Sequence, residues 1–342
     1  RDLHKEYRRQ RQMCIRDSYL SADGLVQDPA ESWSVTYDGL MNKSQRPYTI
    51  GSGYSSSNLN QADVAMLADV VRARYDVTGK GIKIGILSTS FNALGGMDED
   101  IALGLLPAGM NGSDDRGNKY VLTDVSYEDD EGRAMAQLVH AIAPDAELYF
   151  ATPYPETKLG EAITPQIAIQ NADVVAEKYD QIIKSLVNDI KVNIIVDDLY
   201  DPVVPWFQDG IIAQAVDWAV EGKDGNKAVV YFSAAGNDTN TSYQSTFRGT
   251  PYSEISSQLP TTAPGNKEQY LYHNFDADAE NIDIMQEVYF PSEFNKENNF
   301  FVQWDQPWGE NNSANEIWFF DDNKQFLGKT PSTQKYPIAA YH

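Results

Sequence analysis

From Ala62 onward the apolar positions fall into two alternating textures. ADVAMLADVVRARY (62–75), EGRAMAQLVHAIA (131–143), the long segment from about Pro165 to Ile190 and DGIIAQAVDWAVEG (209–222) place apolar residues three and four apart, which predicts amphipathic helices. Between them IKIGILS (82–88), YVLTDVS (120–126), ELYFAT (147–152), VNIIVDD (192–198) and AVVYFSA (228–234) are short apolar runs rich in β-branched and aromatic residues, which predicts buried strands. Strands alternating with helices predict an α/β fold, a parallel sheet with helices on both faces and its site at the carboxyl ends of the strands. After about Pro264 the helical spacing stops. QYLYHNF, IMQEVYF, FFVQWD and EIWFFDD follow with Asn, Gly and Asp turns, which predicts an antiparallel β-sandwich over 265–342. The last stretch, KTPSTQKYPIAAYH, shows no closing strand, so the sequence is expected to stop inside that sandwich and to be a fragment.

Composition narrows the partners. Of 342 residues, 27 are Lys or Arg and 50 are Asp or Glu, a formal charge of -23, which repels phosphates and disfavours nucleic acid and anionic lipid. No run of about 18 apolar residues is present to span a membrane. The acidity fits a secreted bacterial protein. Cys14 is the single cysteine, so neither an internal disulfide nor a cysteine-ligated zinc is available. The first 18 residues, RDLHKEYRRQRQMCIRDS, carry six bases and three acids against the acidic remainder, and QMCIRDS resembles translated sequencing adapter. They are set aside from the fold. Residues 19–60, ending in GSGYSSSNLNQ, read as an extension or linker, and 61–255 as the α/β part.

The chemistry must come from few groups. Of four histidines, His4 lies in the basic tail, His342 is the last residue and His273 sits in the β region. His140 stands nine residues after Glu131 on one helix, so the two face opposite sides and His140 reads as a packing residue. Glu131, in EDDEGRAMAQ, opens its helix just past a strand, where exposed N–H groups favour a carboxylate. In SAAGND a strand runs into Asn237, whose amide suits an oxyanion or an ordinary turn. Asp197 and Asp198 end another strand, where either can orient a neighbouring acid or cap a turn. The hydroxyls of Ser88, Thr89 and Ser90 have no histidine facing them. The Asp-rich turns NFDADAEN (274–281) and FDDNKQ (320–325) offer oxygen ligands without the spacing of a 12-residue calcium loop, so no metal or cofactor is assigned and calcium stays a weak option.

Together IKIGILSTSF, EGRAMAQLVHAIAPDAELYF and VVYFSAAGNDT, in this order, resemble the subtilisin-like serine peptidases over about Ala62 to Phe247. The resemblance implies a subtilisin-like α/β domain, polypeptide substrates and Asn237 in the oxyanion hole. Glu131 occupies the position of the family's His, as in the related sedolisin peptidases with their Ser-Glu-Asp set, although the sedolisin Asp would fall at Met135. Thr89 stands where a subtilase keeps its orienting Asp, a degenerate position. Asp197, Asp198 and Leu199 fall where subtilases line the substrate cleft, making Asp198 the nearest carboxylate partner for Glu131. No Gly-Thr-Ser motif occurs before His342. The region after Pro264 resembles a pre-peptidase C-terminal β-sandwich, which some subtilase-like proteins insert between Asn and Ser, so the nucleophile is expected beyond the sequence and the chain alone is expected to be inactive. The competing expectation is a non-catalytic binding or cell-surface protein that kept the fold.

Overall fold

The computed structural model describes residues 63, 65–156, 165–236, 242–276, 281–288, 300–313, 315–330 and 335–341, all within one compact unit, Ser57–His342. Strands β1 (Lys83–Leu87), β2 (Glu147–Ala151), β3 (Ile194–Asp197) and β4 (Val230–Ser233) form a parallel sheet in the order β2-β1-β3-β4. The helices are α1 (Ala68–Tyr75), α2 (Met97–Ala102), α3 (Glu131–Ile142), α4 (Pro165–Ser185, running into a π-type turn at Leu186–Ile190), α5 (Ile211–Glu221) and the short α6 (Tyr252–Ile255).

Strand alternation sends successive side chains into two cores. Leu87, Tyr149, Ala151 and Ile195 pack with Tyr179, Ile183 and Leu186 of α4 and its turn and with Ala215 and Ala219 of α5. Ile84, Ile86, Leu148 and Phe150 pack on the other face with Ala136 of α3 and with Phe91, Leu106 and Met110. Helices lie on both faces of the sheet and bury β1 and β2, as those apolar strand sequences require, while β4 stays largely exposed. Gly85 permits one close approach: a Cβ there would stand 2.9 Å from a Leu186 methyl carbon.

The expected strand at 120–126 is reduced to one parallel bridge, Val121 with Phe150. Its side chains take up the backbone groups a ladder would use. The Thr123 hydroxyl donates to Thr152 O at 2.9 Å, and the Asp124 carboxylate accepts from Phe91 N at 2.8 Å and Asn92 N at 2.9 Å.

Downstream the pairing is antiparallel, in two-stranded ladders. β5 (Gly249–Pro251) pairs with β6 (Leu271–His273), β7 (Phe300–Gln303) with β10 (Ile338–Tyr341), and β8 (Trp318–Phe320) with β9 (Phe326–Lys329). Residues 284–288 of IMQEVYF form no strand, and 289–290 lie outside the described residues. Where the sequence pattern shows no strand, 338–341 form β10. Tyr336, Ile338 and Ala340 are buried against Ile169 and Ala172 of α4 and against Val203. Small apolar residues make this strand, and their partners lie far away in sequence.

Candidate functional site

The turn after β1 meets the start of α3 through three hydroxyl–carboxylate pairs. Ser88 Oγ donates to Glu131 Oε2 at 3.0 Å, Thr89 Oγ1 to Asp129 Oδ1 at 2.8 Å and Ser90 Oγ to Asp130 Oδ1 at 3.0 Å. Asp130 adopts a left-handed backbone, φ 61°, which costs energy for a residue with a Cβ. Its surroundings hold it there. Its carboxylate accepts from Ala93 N at 2.6 Å and Leu94 N at 3.1 Å and pairs with Arg133 at 3.1 Å, and its own N–H donates to Ser90 Oγ at 2.7 Å. Gly132 completes the junction. Its N–H donates to Ser90 O at 3.0 Å, and a Cβ there would lie 2.2 Å from the Phe150 ring and 2.8 Å from that same carbonyl. Ser-Thr-Ser and Asp-Asp-Glu thus interlock and aim Glu131 across the carboxyl end of the sheet.

Burial raises the pKa of Glu131 above its ordinary value; the Ser88 hydroxyl opposes this, while the charges of Asp198 and Asp129 add to it. The helix N-terminus was expected to favour the charged form, but desolvation outweighs it. Burial also raises Glu128, with Asp129 adding to it, and raises Asp201 against a hydrogen bond from Val203 N. Burial raises the Tyr154 phenol as well, with the charges of Asp201, Glu128 and Glu131 contributing.

The two carboxylates ending VNIIVDD point to opposite sides of the sheet. Asp197 is 6% exposed and accepts from Tyr179 Oη at 3.0 Å, Tyr231 Oη at 2.6 Å and Ser233 Oγ at 2.6 Å, so the structure does not bring it to Glu131. Leu199 packs partly against the core on the α4 side. Asp198 is exposed, and its N–H donates to Leu87 O at 3.1 Å, which extends the ladder. Alternation places it on the α3 side, beside Ser88, where its charge reaches Glu131.

Of the remaining expected residues, Asn237 lies outside the described residues; described backbone leads toward it as far as Gly236, with Ala234 N donating to Asp197 O at 3.1 Å. Thr89 is not the residue that supports Glu131. Its hydroxyl goes to Asp129, and the supporting contact comes from Ser88, one residue earlier and fully buried. Each of the two serines faces an acid, Ser88 Glu131 and Ser90 Asp130. Met135 packs partly into the apolar core with Ile86 and Phe150, one turn beyond Glu131. His140 is buried toward the far end of α3, about 13 Å of helix rise from Glu131. Burial lowers its pKa, with Asp145 opposing. Among the described residues no group of three or more His, Cys, Asp or Glu is placed to hold a metal ion. In FDDNKQ the Asp321 carboxylate accepts from Asn323 N at 2.9 Å and Gln325 N at 2.7 Å, while 277–280 of NFDADAEN lie outside the described residues. No described helix is long and apolar enough to cross a membrane.

No protein-family model matches this chain, and no curated protein matches it. Solved structures do. The chain is similar to MycP1 with the N-terminal propeptide removed, at 16% identity and a TM-score of 0.30, over 58% of this chain and 55% of that one. MycP1 from the ESX-1 type VII secretion system aligns at 14% identity and a TM-score of 0.30, over 62% and 53%. MycP3 protease from the type VII (ESX-3) secretion system aligns at 15% identity and 0.29, over 65% and 54%. The matched region spans little more than half of each of these chains.

Proposed function

We propose that the chain is the α/β part of a secreted endopeptidase of subtilase–sedolisin type that hydrolyses polypeptides. The observation that carries this reading is the Ser88–Glu131 pair: a carboxyl with raised proton affinity, oriented by a buried hydroxyl at the carboxyl end of a parallel sheet. Such a group is fitted to take a proton from a hydroxyl and return it to a leaving amine. In this reading the nucleophilic serine is supplied by the protein beyond residue 342. Asp198 is the second carboxylate, close enough to raise the proton affinity of Glu131, and the Asn237 amide donates to the oxyanion. Room for a further segment supports the reading. Val230 and Phe232 of β4, on the α3 side of the sheet, are 54% and 57% exposed, whereas strands of a parallel sheet are ordinarily buried on both faces.

The test is Glu131→Gln in the full-length protein. The amide keeps the shape and cannot take a proton, so kcat/KM on a peptide substrate should fall by roughly three orders of magnitude, the scale of a lost general base. Undiminished turnover would overturn the assignment.

Two observations favour a non-catalytic binding protein as the second reading. Ser88 supplies no charge to Glu131, and Met135 packs partly into the apolar core where the sedolisin pattern wants a carboxylate. The coding sequence after His342 separates the two: a downstream Gly-Thr-Ser motif favours the peptidase, and a stop codon or Gly-Thr-Ala favours the binder.

A further inference from the structure

Two glutamines hold each other's segments where the β7–β10 ribbon meets the loop between β3 and α5. Gln303, the last residue of β7, donates from Nε2 to Pro202 O at 3.0 Å and Val204 O at 2.7 Å, and its Oε1 accepts from Trp206 N at 3.0 Å. Gln208 answers from the loop. Its Nε2 donates to Gln306 O at 2.8 Å and its Oε1 accepts from Trp308 N at 3.1 Å. Each side chain uses both its donor and its acceptor functions, which an amide alone among neutral side chains offers in this fork. Beneath them Val203 is buried with Ile169, Ala172 and Ile338. To one side Asp173 of α4 accepts from Lys335 at 3.0 Å and from the Tyr336 hydroxyl, and the Tyr336 ring lies 4.8 Å from that of Trp308.

An apolar contact fixes a separation; it does not fix register. Gln303 addresses Pro202 O, Val204 O and Trp206 N within a run of turns and bends that no strand ladder holds, so one side chain fixes the backbone of this loop at three points. We infer that the β7–β10 ribbon is a brace, with Gln303 and Gln208 as positioning residues that set the course of the 199–210 loop, which follows Asp198. Tyr200 and Trp206, exposed on that loop, take their places from it. The brace goes beyond the peptidase reading, since it stands whether or not Glu131 acts as a base.

Hydrogen exchange on the 342-residue chain tests this. In Gln303→Ala, which removes three hydrogen bonds to the loop, the Trp206 amide and those of its non-proline neighbours Val203, Val204, Phe207 and Gln208 should lose about ten-fold or more of their protection while β1 and α3 keep theirs. Gln303→Glu adds a readout that loss of packing cannot mimic. At pH 7 its carboxylate faces two carbonyl oxygens and donates to neither; near pH 4 the protonated acid regains one donation. Loop protection relative to the native chain at the same pH should therefore drop at pH 7 and recover in acid. From the other side of the contact, Gln208→Ala should loosen both the loop and residues 306–308. Unchanged loop protection in Gln303→Ala, loss spread equally over β1 and α3, or no recovery of Gln303→Glu in acid would each overturn the brace.

Discussion

A buried hydroxyl beside a carboxyl of raised proton affinity has a definite sign. Ser88 stabilises the charged form of Glu131, so Ser88→Ala should move the carboxyl's titration to higher pH, read by carbon-13 NMR of the glutamate side chain. A downward move would mean that Ser88 does not donate to it. Because the folded pKa lies above the ordinary 4.5, the group's contribution to stability is complete below that value and is lost as pH rises through the higher folded one. Sequence reasoning singles out Glu131, reads Thr89 as a degenerate position and names Asp198 as the carboxylate partner; the hydroxyl that donates to Glu131 is that of Ser88, one residue before Thr89. In a strand one residue is a change of face, and an apolar run followed by Ser-Thr-Ser does not say where its last inward position falls. The residues of this junction that it leaves without a role are Ser88, Asp129 and Asp130. Their signal was present as three hydroxyls at one strand end and a run of four acids, 128–131, at one helix start, about 40 positions apart. Nothing in their spacing says that they pair.

Each element stands where its neighbours admit it, and α3 shows this most sharply. A methyl group on Gly132 would collide with the Phe150 ring and the Ser90 carbonyl. Gly132→Ala should destabilise the chain by about 1–3 kcal/mol, as overpacking in a filled site does, in urea unfolding. A loss under about 0.5 kcal/mol would show that the junction gives way freely, at the level of an ordinary surface change. Strands with long β-branched runs and helices with regular apolar spacing were legible because burial alone decides them. The 120–126 strand shrank to one bridge because the Thr123 and Asp124 side chains hydrogen-bond backbone groups 29 to 33 residues away, at Thr152, Phe91 and Asn92, where a longer ladder would run. β10 was missed for the opposite reason: PIAAY has little pattern of its own, and its burial is granted by α4.

At the scale of the molecule the dominant fact is an excess of 23 negative charges. Self-repulsion works against the compact state, and salt screens it. Raising NaCl from about 0.02 M to about 0.5 M shortens the Debye length from roughly 20 Å to roughly 4 Å and should raise Tm by a few degrees, followed by circular dichroism. A falling Tm would mean that ion pairs such as Arg133 with Asp100 and Asp130 outweigh the repulsion. The brace has a consequence in time as well. The sheet needs only residues 83–233, whereas the Gln303 clamp and the Asp173–Tyr336 contact, which joins positions 163 apart, need residues beyond 300. Long closures come late in folding because their entropy must be met before they gain anything. On a ribosome the order is stricter still. The loop after Asp198 is synthesised about a hundred residues before the side chain that braces it, and through that interval its course is undecided.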